Sequence, residues 1–387
     1  MNTKIKLGEL CTFHNGGAWN ESEYSESGIA VVQVSNMRHD GTIDINSSKF
    51  LPESKRDVYK KHELIEGDLI IATVGSHPTQ PTSMVGRASI VSKRVAGAYL
   101  NQNAVCIRPL DTRLDKGFLG VLGRSNLMRN FIASRARGGA NQVRMAISSL
   151  KEFEFECPSL SKQTRISEII SAYDKSIENN NRRIELLEQM AMRTYSHLFK
   201  EQYTRLELLN GLPKGWEKKK VGEVLTKIPS RPKIKKRDYE EKGFVPIIDQ
   251  SQSFIGGYTN QIEAKYDTPL PIIVFGDHTR ILKYIDFPFA RGADGTQLLY
   301  PNTENLPPVL FYYALKSIDL SNYAYARHFK FLKDQEIIIP DLETANKFAK
   351  LAEPIRFQIH CLNQKNEKIR ILREAVLPRL IEGEIAL

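Results

Sequence analysis

The sequence predicts an α+β protein built twice over. Two mixed α/β globular domains alternate with two long helices, which pair as an antiparallel coiled coil about an internal pseudo-two-fold axis. Three observations predict it. First, Ser161–Lys200 contains no Gly and no Pro, so nothing breaks a helix over about ten turns, on the order of 55 Å. Its apolar residues recur at alternating four- and three-residue steps: Ile166, Ile170, Tyr173, Ile177, a polar Asn180, then Ile184, Leu187 and Ala191. A mean step of about 3.5 is that of a coiled-coil seam. Second, Glu343–Pro378 repeats the design, with Phe348, Ile355, Leu362, Ile369 and Val376 at heptad intervals. Setting Ile184 over Ile369 also sets Ile177 over Leu362, Asn181 over Asn366 and Ala191 over Val376. Third, the approaches match: Leu150–Pro158 and Leu332–Pro340 are both strand-like runs ended by Pro and followed by the long helix. Two matched strand–Pro–helix units favour an internal duplication. Both helices need a partner of similar length, and each supplies the other's.

The chain divides accordingly into a first globular domain (1–157), a central helix (158–204), a second globular domain (205–340) and a C-terminal helix (341–387). In the first domain Ile29–Val34 and Gly67–Val74 read as buried strands, the latter entered by a Gly-Asp turn. Ala88–Val91 and Ala104–Ile107 are further strands, the second stopped by Pro109. Phe118–Ser134 is helical in pattern, and Ser134–Arg144 is a polar, basic, glycine-containing loop. Gly211–Trp216 is a linker with turn residues and one aromatic anchor. The second domain echoes the first. Val221–Val224 answers Leu7–Leu10, Val245–Ile248 answers Ala30–Gln33, Ile272–His278 answers Ile70–His77, and Gln297–Pro301 answers Val105–Pro109.

At 387 residues the chain is too long for one core. A hydrophobic fraction of 41% and a charged fraction of 26% are those of a soluble globular protein. No apolar run approaches a membrane span, and MNTKIKLGEL has no apolar core of a signal peptide. Cys11, Cys106, Cys157 and Cys361 are scattered, with no metal-binding spacing, so reduced thiols in the cytoplasm are expected. The formal net charge of +10 favours a polyanionic partner. The excess is spread along the chain with no basic tail.

Catalytic signatures are missing from the sequence. There is no Gly-Lys dipeptide for a phosphate-binding loop, no Gly-x-Ser-x-Gly elbow and no His-Glu-x-x-His. No Phe-x-Gly-x-Gly or Asn/Asp-Pro-Pro-aromatic stretch suggests an adenine methyltransferase site. No catalytic residue and no metal site is therefore assigned. Binding features are better represented. Arg135, Arg137, Gly138, Gly139, Asn141, Gln142 and Arg144 combine guanidinium donors, close-approach glycines and amide side chains. Arg and backbone N–H groups suit phosphates, while Asn and Gln can pair with adenine edges. In the second domain Lys233, Lys235, Lys236 and Arg237 form a basic run. Tyr325–Phe331 stands where the first domain has Gln142–Ser149 and is again basic. Each stretch taken alone is equally a solvated basic surface; the positional match between domains raises the binding reading.

This architecture resembles the DNA specificity subunit of type I restriction–modification systems. Gly138-Gly-Ala-Asn-Gln142 is similar to the family's Gly-x-x-Gln loop before the helix, and Cys157-Pro-Ser-Leu-Ser-Lys-Gln163 to its Pro-x-x-x-x-Gln helix start. Leu212-Pro-Lys-Gly-Trp216 resembles the opening of a second target recognition domain. Gly276-Asp-His-Thr-Arg280, Gly292-Ala-Asp-Gly-Thr296 and the closing Leu377-Pro-Arg-Leu-Ile-Glu-Gly-Glu-Ile385 also look like the family's.

The resemblance implies a non-catalytic reader. Each target recognition domain would read half of a split sequence in double-stranded DNA. The helices would set the spacing and dock two methyltransferase subunits, with restriction subunits joining the full complex and no membrane involved. No cofactor is expected on this chain; S-adenosylmethionine, ATP and Mg are expected on the partner subunits. Candidate DNA contacts are then the residues above together with His77, His278, Thr279, Arg280, Arg291, Arg327 and Lys330. Two other readings fit the residues alone: a stand-alone two-headed DNA-binding regulator, and a coiled-coil scaffold whose globular domains bind protein.

Overall fold

The structure, a computed structural model, describes residues 4–38, 41–45, 48–75, 84–139, 142–201, 211–251, 253–293, 295–321 and 327–385. The chain forms two compact units: Met1–Glu178 with Asn366–Leu387, and Asn179–Lys365. Each boundary between the units falls inside a long helix, so each unit contains one globular head and a length of both helices.

The first head opens with β1 (Lys4–Lys6), the single turn α1 (Leu7–Leu10) and β2 (Cys11–Asn15). It continues through β3 (Ile29–Val32), β4 (Lys49–Leu51), α2 (Arg56–Tyr59), β5 (Leu69–Ala72), β6 (Val74–Gly75), β7 (Ala88–Ile90), β8 (Tyr99–Leu100) and β9 (Ala104–Pro109). Two helices come next, α3 (Lys116–Gly123) and α4 (Asn126–Arg135), then β10 (Arg137–Gly139), β11 (Gln142–Arg144), α5 (Ile147–Lys151) and β12 (Glu154–Glu156). The apolar runs read as buried strands are the buried ones: β5 is closed on both faces and sits inside the antiparallel sheet β2-β9-β5-β7. A second sheet, β4-β3-β8, contains the parallel pair Val31↔Tyr99. β1 and β12 pair antiparallel, so the first strand of the head closes on the last.

Two expectations change here. The pattern Phe118–Ser134 is not one helix. Ser125 interrupts it, its Oγ donating to the Leu122 carbonyl at 2.6 Å and accepting from the Met128 amide at 3.3 Å, which makes it the N-cap of α4. The basic stretch 134–144 is not a loop throughout: Arg137–Gly139 and Gln142–Arg144 pair within it as the antiparallel strands β10 and β11.

The helix α6 (Leu160–Tyr195) then runs on into a π-helical turn at Ser196–Glu201. Its start is tied down by Gln163, which is buried. The amide of Gln163 accepts from the Asp115 amide at 2.7 Å and donates to the Arg113 and Pro158 carbonyls at 3.0 and 2.9 Å.

The second head comprises β13 (Glu217–Lys220), β14 (Val245–Ile248), β15 (Gly257–Thr259), β16 (Lys265–Tyr266), β17 (Ile272–Gly276), β18 (Leu282–Ile285), β19 (Phe289–Arg291) and β20 (Thr296–Leu299). It ends with α7 (Pro308–Lys316), α8 (His328–Asp334) and β21 (Glu336–Ile339). Its sheets are β18-β17-β20 and β15-β14-β19-β16, the latter with the parallel pair Ile247↔Ala290, and β13 closes on β21. The final helix is α9 (Leu342–Ile381). It has no glutamine at its start. Asp341 takes that place, accepting from the Thr344 amide at 2.9 Å and from the Trp216 indole N–H at 2.8 Å.

Of the residues assigned to the seam, Ile166, Ile170, Ile177, Asn180, Ala191, Phe348, Ile355 and Leu362 are buried. Tyr173, Ile184, Leu187, Ile369 and Val376 are half-buried. In α9 the alternate heptad positions Ala345, Ala352, Ile359, Asn366, Arg373 and Leu380 are buried as well. In the second unit Glu188 of α6 meets Arg356 of α9, and Tyr195 meets Phe348, with ring centroids 6.0 Å apart. Ascending one helix therefore descends the other. In the first unit Asp174 of α6 accepts from Arg373 of α9 at 2.6 Å, and Ile166 and Ile170 share a core with Leu377 and Leu380. Among the described residues no helix is long and apolar enough to cross a membrane, no group of side chains could hold a metal ion, and the four cysteines are free.

Candidate nucleic-acid interface

In the first head the hairpin β10–β11 sets Arg137 opposite Arg144 and Gly138 opposite Val143, and β11 pairs in turn with β6 through Val143↔Gly75. Val143 is buried, so its neighbour Arg144 points to solvent with Arg137 beside it. Partners directly opposite in an antiparallel pair have Cβ atoms about 5 Å apart, and like charges placed so repel. Among the described residues neither guanidinium makes an ion pair. Arg135 ends α4, exposed, with its guanidinium 5.6 Å from the ring centre of Phe131. The geometry is a cationic edge with no counter-charge paired to it among the described residues, at which a phosphate would relieve the repulsion. Gly138 has φ +143, which a side chain rarely adopts, so the strand passes with its backbone bare. Gly139 and Gln142 form the inner rung of the hairpin. His77 and Asn141 lie outside the described residues.

The second head brings a different set together. The turn after β17 carries His278, Thr279 and Arg280, all exposed. It is held from several sides. The His278 amide donates to Gln250 Oε1 at 3.1 Å, Thr279 Oγ1 donates to the Gln250 carbonyl at 2.8 Å, and the Asp277 amide donates to the Gly295 carbonyl at 2.7 Å. The buried Asp277 carbonyl accepts from the His328 amide and faces its ring Nδ1, and its carboxylate accepts from the Phe329 amide at 2.8 Å, fixing the start of α8. Arg327, exposed, immediately precedes that start, and Lys330 is exposed on α8. Arg280 is partly committed: its guanidinium donates to the Leu320 carbonyl at 2.9 Å.

The basic run divides. Lys233, Lys235 and Arg237 are exposed, whereas Lys236 reaches the buried Asp249 carboxylate at 3.4 Å. Lys236, His278 and Thr279 are thus gathered around the Asp249–Gln250 segment. Arg291 does not join them. It is half-buried on β19, and burial lowers its pKa.

Three members of this second site were not singled out from the sequence: Asp249, Gln250 and Lys283. Lys283 sits in β18, 5% exposed, with its ammonium 2.8 Å from the Asp249 carbonyl, 2.6 Å from that of Ser253 and 3.5 Å from that of Phe254. Burial pulls its pKa down to about 8, with Asp249 opposing and Lys236 adding to the fall. Burial would raise the Asp249 carboxyl, but bonds from Ser251 and the two ammonium groups hold it below the usual range. The signal for Lys283 is a lysine inside the apolar strand Leu282–Ile285, and for Gln250 a polar tripeptide directly after the buried end of β14.

Residues 2–189 and 213–370 match the family model described as the type I restriction modification DNA specificity domain. Over 325 residues the chain is 25% identical to the type I restriction enzyme MjaIX specificity subunit of Methanocaldococcus jannaschii, which covers 73% of this chain and 74% of that one. A 126-residue stretch is 29% identical to the EcoR124I/EcoR124II specificity subunit of Escherichia coli, covering 32% of this chain and 30% of that one. The crystal structure of the type I restriction–modification S subunit from M. genitalium aligns over 98% of this chain and 96% of its own, with a TM-score of 0.52 at 17% identity, a likeness of fold.

Proposed function

The chain belongs to the family of type I restriction–modification DNA specificity domains, and on that premise we propose how it divides its work. It is the DNA sequence-recognition subunit of a type I restriction–modification system, a non-catalytic member of that assembly. Each head reads one half of a bipartite duplex sequence. The two helices, antiparallel and related with their heads by a pseudo-two-fold duplication, set the spacing between the halves. The shared strand order of the heads supports the duplication: an antiparallel sheet, a sheet with one parallel pair, and a first strand closing on the last.

The helices also dock two methyltransferase subunits. In the second unit Leu186 and Met190 on α6 and Leu351 and Phe357 on α9 are exposed, Phe357 to 66%. In the first unit Ile371 and Leu372 on α9 are exposed as well. Exposed apolar side chains on both helices are available to such a partner. S-adenosylmethionine sits on the methyltransferase subunits, and ATP and Mg on the restriction subunits that complete the complex in the cytoplasm. This chain contributes the address.

The observation that carries the DNA reading is the pair Arg137 and Arg144, set opposite each other with no ion pair among the described residues. Charges left facing each other at a surface are stabilised by a polyanion, and each phosphate contact contributes about 0.9 to the slope of log K against log salt. R137A together with R144A, measured in the complex with the methyltransferase, should weaken duplex binding and lower that slope by nearly two units. An unchanged slope means that this edge does not face DNA.

A further inference from the structure

We propose that Lys283 is a positioning residue for DNA reading by the second head, acting through Gln250 on the turn Asp277–Arg280, whose last three residues are exposed. The inference rests on the reading of that head as a DNA reader.

The starting point is a buried ammonium in a strand that could have been wholly apolar. Taking an ammonium out of water is costly, and a well-packed apolar side chain of similar volume is often as stable or more so. Lys283 stands there nonetheless, and its donors go to main-chain carbonyls. The Asp249 and Ser253 carbonyls lie at 2.8 and 2.6 Å and that of Phe254 at 3.5 Å, while the nearest Asp249 carboxylate oxygen is 3.9 Å away. These carbonyls belong to the segment that leaves β14, where the sheet ladder no longer fixes the backbone. The ammonium holds that segment in place.

Gln250 lies in this segment, and the turn hangs on it. Its main-chain carbonyl accepts from Thr279 Oγ1 and its side-chain oxygen from the His278 amide. Two glycines let these groups close up. A Cβ on Gly276 would stand 2.2 Å from Thr279 Oγ1, and one on Gly295 would stand 2.7 Å from both Gln250 Nε2 and the His278 ring. Gly295 also has φ +72. The Asp249 carboxylate is engaged by Ser251 and faces the Tyr239 hydroxyl at 3.3 Å and the Lys236 ammonium at 3.4 Å, so a half-exposed cation is fixed at the same edge. The charged groups near Lys283 are Asp249 and Lys236. The path runs from the ammonium to the Asp249 carbonyl, to the adjoining Gln250, to the turn that presents His278 and Thr279. Hydroxyl and amide side chains held at defined angles are what base-edge recognition requires, and a loose platform loses discrimination before it loses affinity.

The test uses the full chain with its cognate methyltransferase, and duplexes carrying single base-pair changes in each half-site. K283M removes the ammonium at nearly constant volume; Q250A leaves the ammonium and cuts the next link. Each should reduce discrimination at one or more positions of the second head's half-site by about tenfold. Discrimination in the other half-site and the salt slope should stay as in the wild type, because no phosphate contact is removed. A merely structural role would lower methylation of all duplexes alike and leave the ratios intact, which overturns the proposal, as does wild-type discrimination in both variants. Should K283M fail to assemble, Q250A decides alone. Failure of the underlying reading looks different: the wild-type complex would then show no half-site that tracks the second head.

Discussion

Glu188 shows how much of this fold depends on single charged residues. Its carboxylate, largely buried, accepts from Lys316 at 2.7 Å and from Arg356, whose guanidinium lies 4.6 Å from the ring centre of Tyr284 and 4.9 Å from that of Tyr312. Burial would raise its pKa, but Arg356 and Lys316 outweigh it and hold the group below the usual range. The first unit has the same design, with Asp174 between Arg124 at 2.8 Å and Arg373 at 2.6 Å. In both, a carboxylate on α6 joins a cation at the end of a head helix to one on α9. Removing the carboxylate strands a buried guanidinium, so E188A should destabilise the chain by roughly 3–5 kcal/mol, read from denaturant midpoints. A carboxylate held low in the folded state contributes its stability in full above the unfolded value, about 4.3 for Glu, and loses it as pH falls through the folded value. E188A should therefore flatten the acid limb of wild-type stability. An equal acid limb in both proteins contradicts this. Such residues were hard to see in the sequence, because Glu188 and Arg356 read as ordinary exposed helix charges. Lys283 was hidden for the related reason that lysine normally marks a solvent face.

The long helices were the most legible elements, and for a physical reason: a heptad stripe is a long periodic signal that short strands cannot provide. Half of the α9 stripe was nevertheless missed. Phe348, Ile355 and Leu362 are apolar, but of the alternate positions only Ile359 and Leu380 are large and apolar; Ala345, Ala352, Asn366 and Arg373 carry little or no hydrophobic signal although all are buried. Pro354 does not break α9, since it sits on the exposed side where one missing N–H and a displaced carbonyl are solvated. Gly-rich, Arg-rich runs lack strand propensity, so the sequence predicts a loop where β10 and β11 stand; their order comes from pairing with β6. The helices also carry the spacing claim. Four residues inserted between Glu178 and Asn179, matched by four between Lys365 and Asn366, interrupt neither unit internally. A coiled coil absorbs such a stutter by local unwinding. The insertion lengthens each helix by about 6 Å and rotates the helix beyond it by roughly 40°, and 6 Å is nearly two base pairs at about 3.4 Å each. The methylated motif should keep both half-site sequences and gain one or two base pairs between them. An active variant that methylates only the original spacing shows that the helices do not measure the site.

Across the whole molecule, the two heads share a strand order and differ in their exposed residues, which suits the proposed division of one task between them. The first presents a paired-arginine hairpin; the second presents a turn braced by Gln250 over a buried lysine. That difference is why the plan could be read from the sequence while the contacts could not: strand order comes from buried runs, whereas presented residues depend on turns such as Asp277–Arg280. It is also why the heads should be separable in function. The most direct measurement is the methylome of cells expressing this chain with its cognate methyltransferase, compared with that of a chain whose residues 217–330 are exchanged for the corresponding domain of a relative. The account predicts a bipartite motif in the first case and, in the second, a motif with one half changed and the other half identical. A contiguous motif, or a change in both halves, would contradict it.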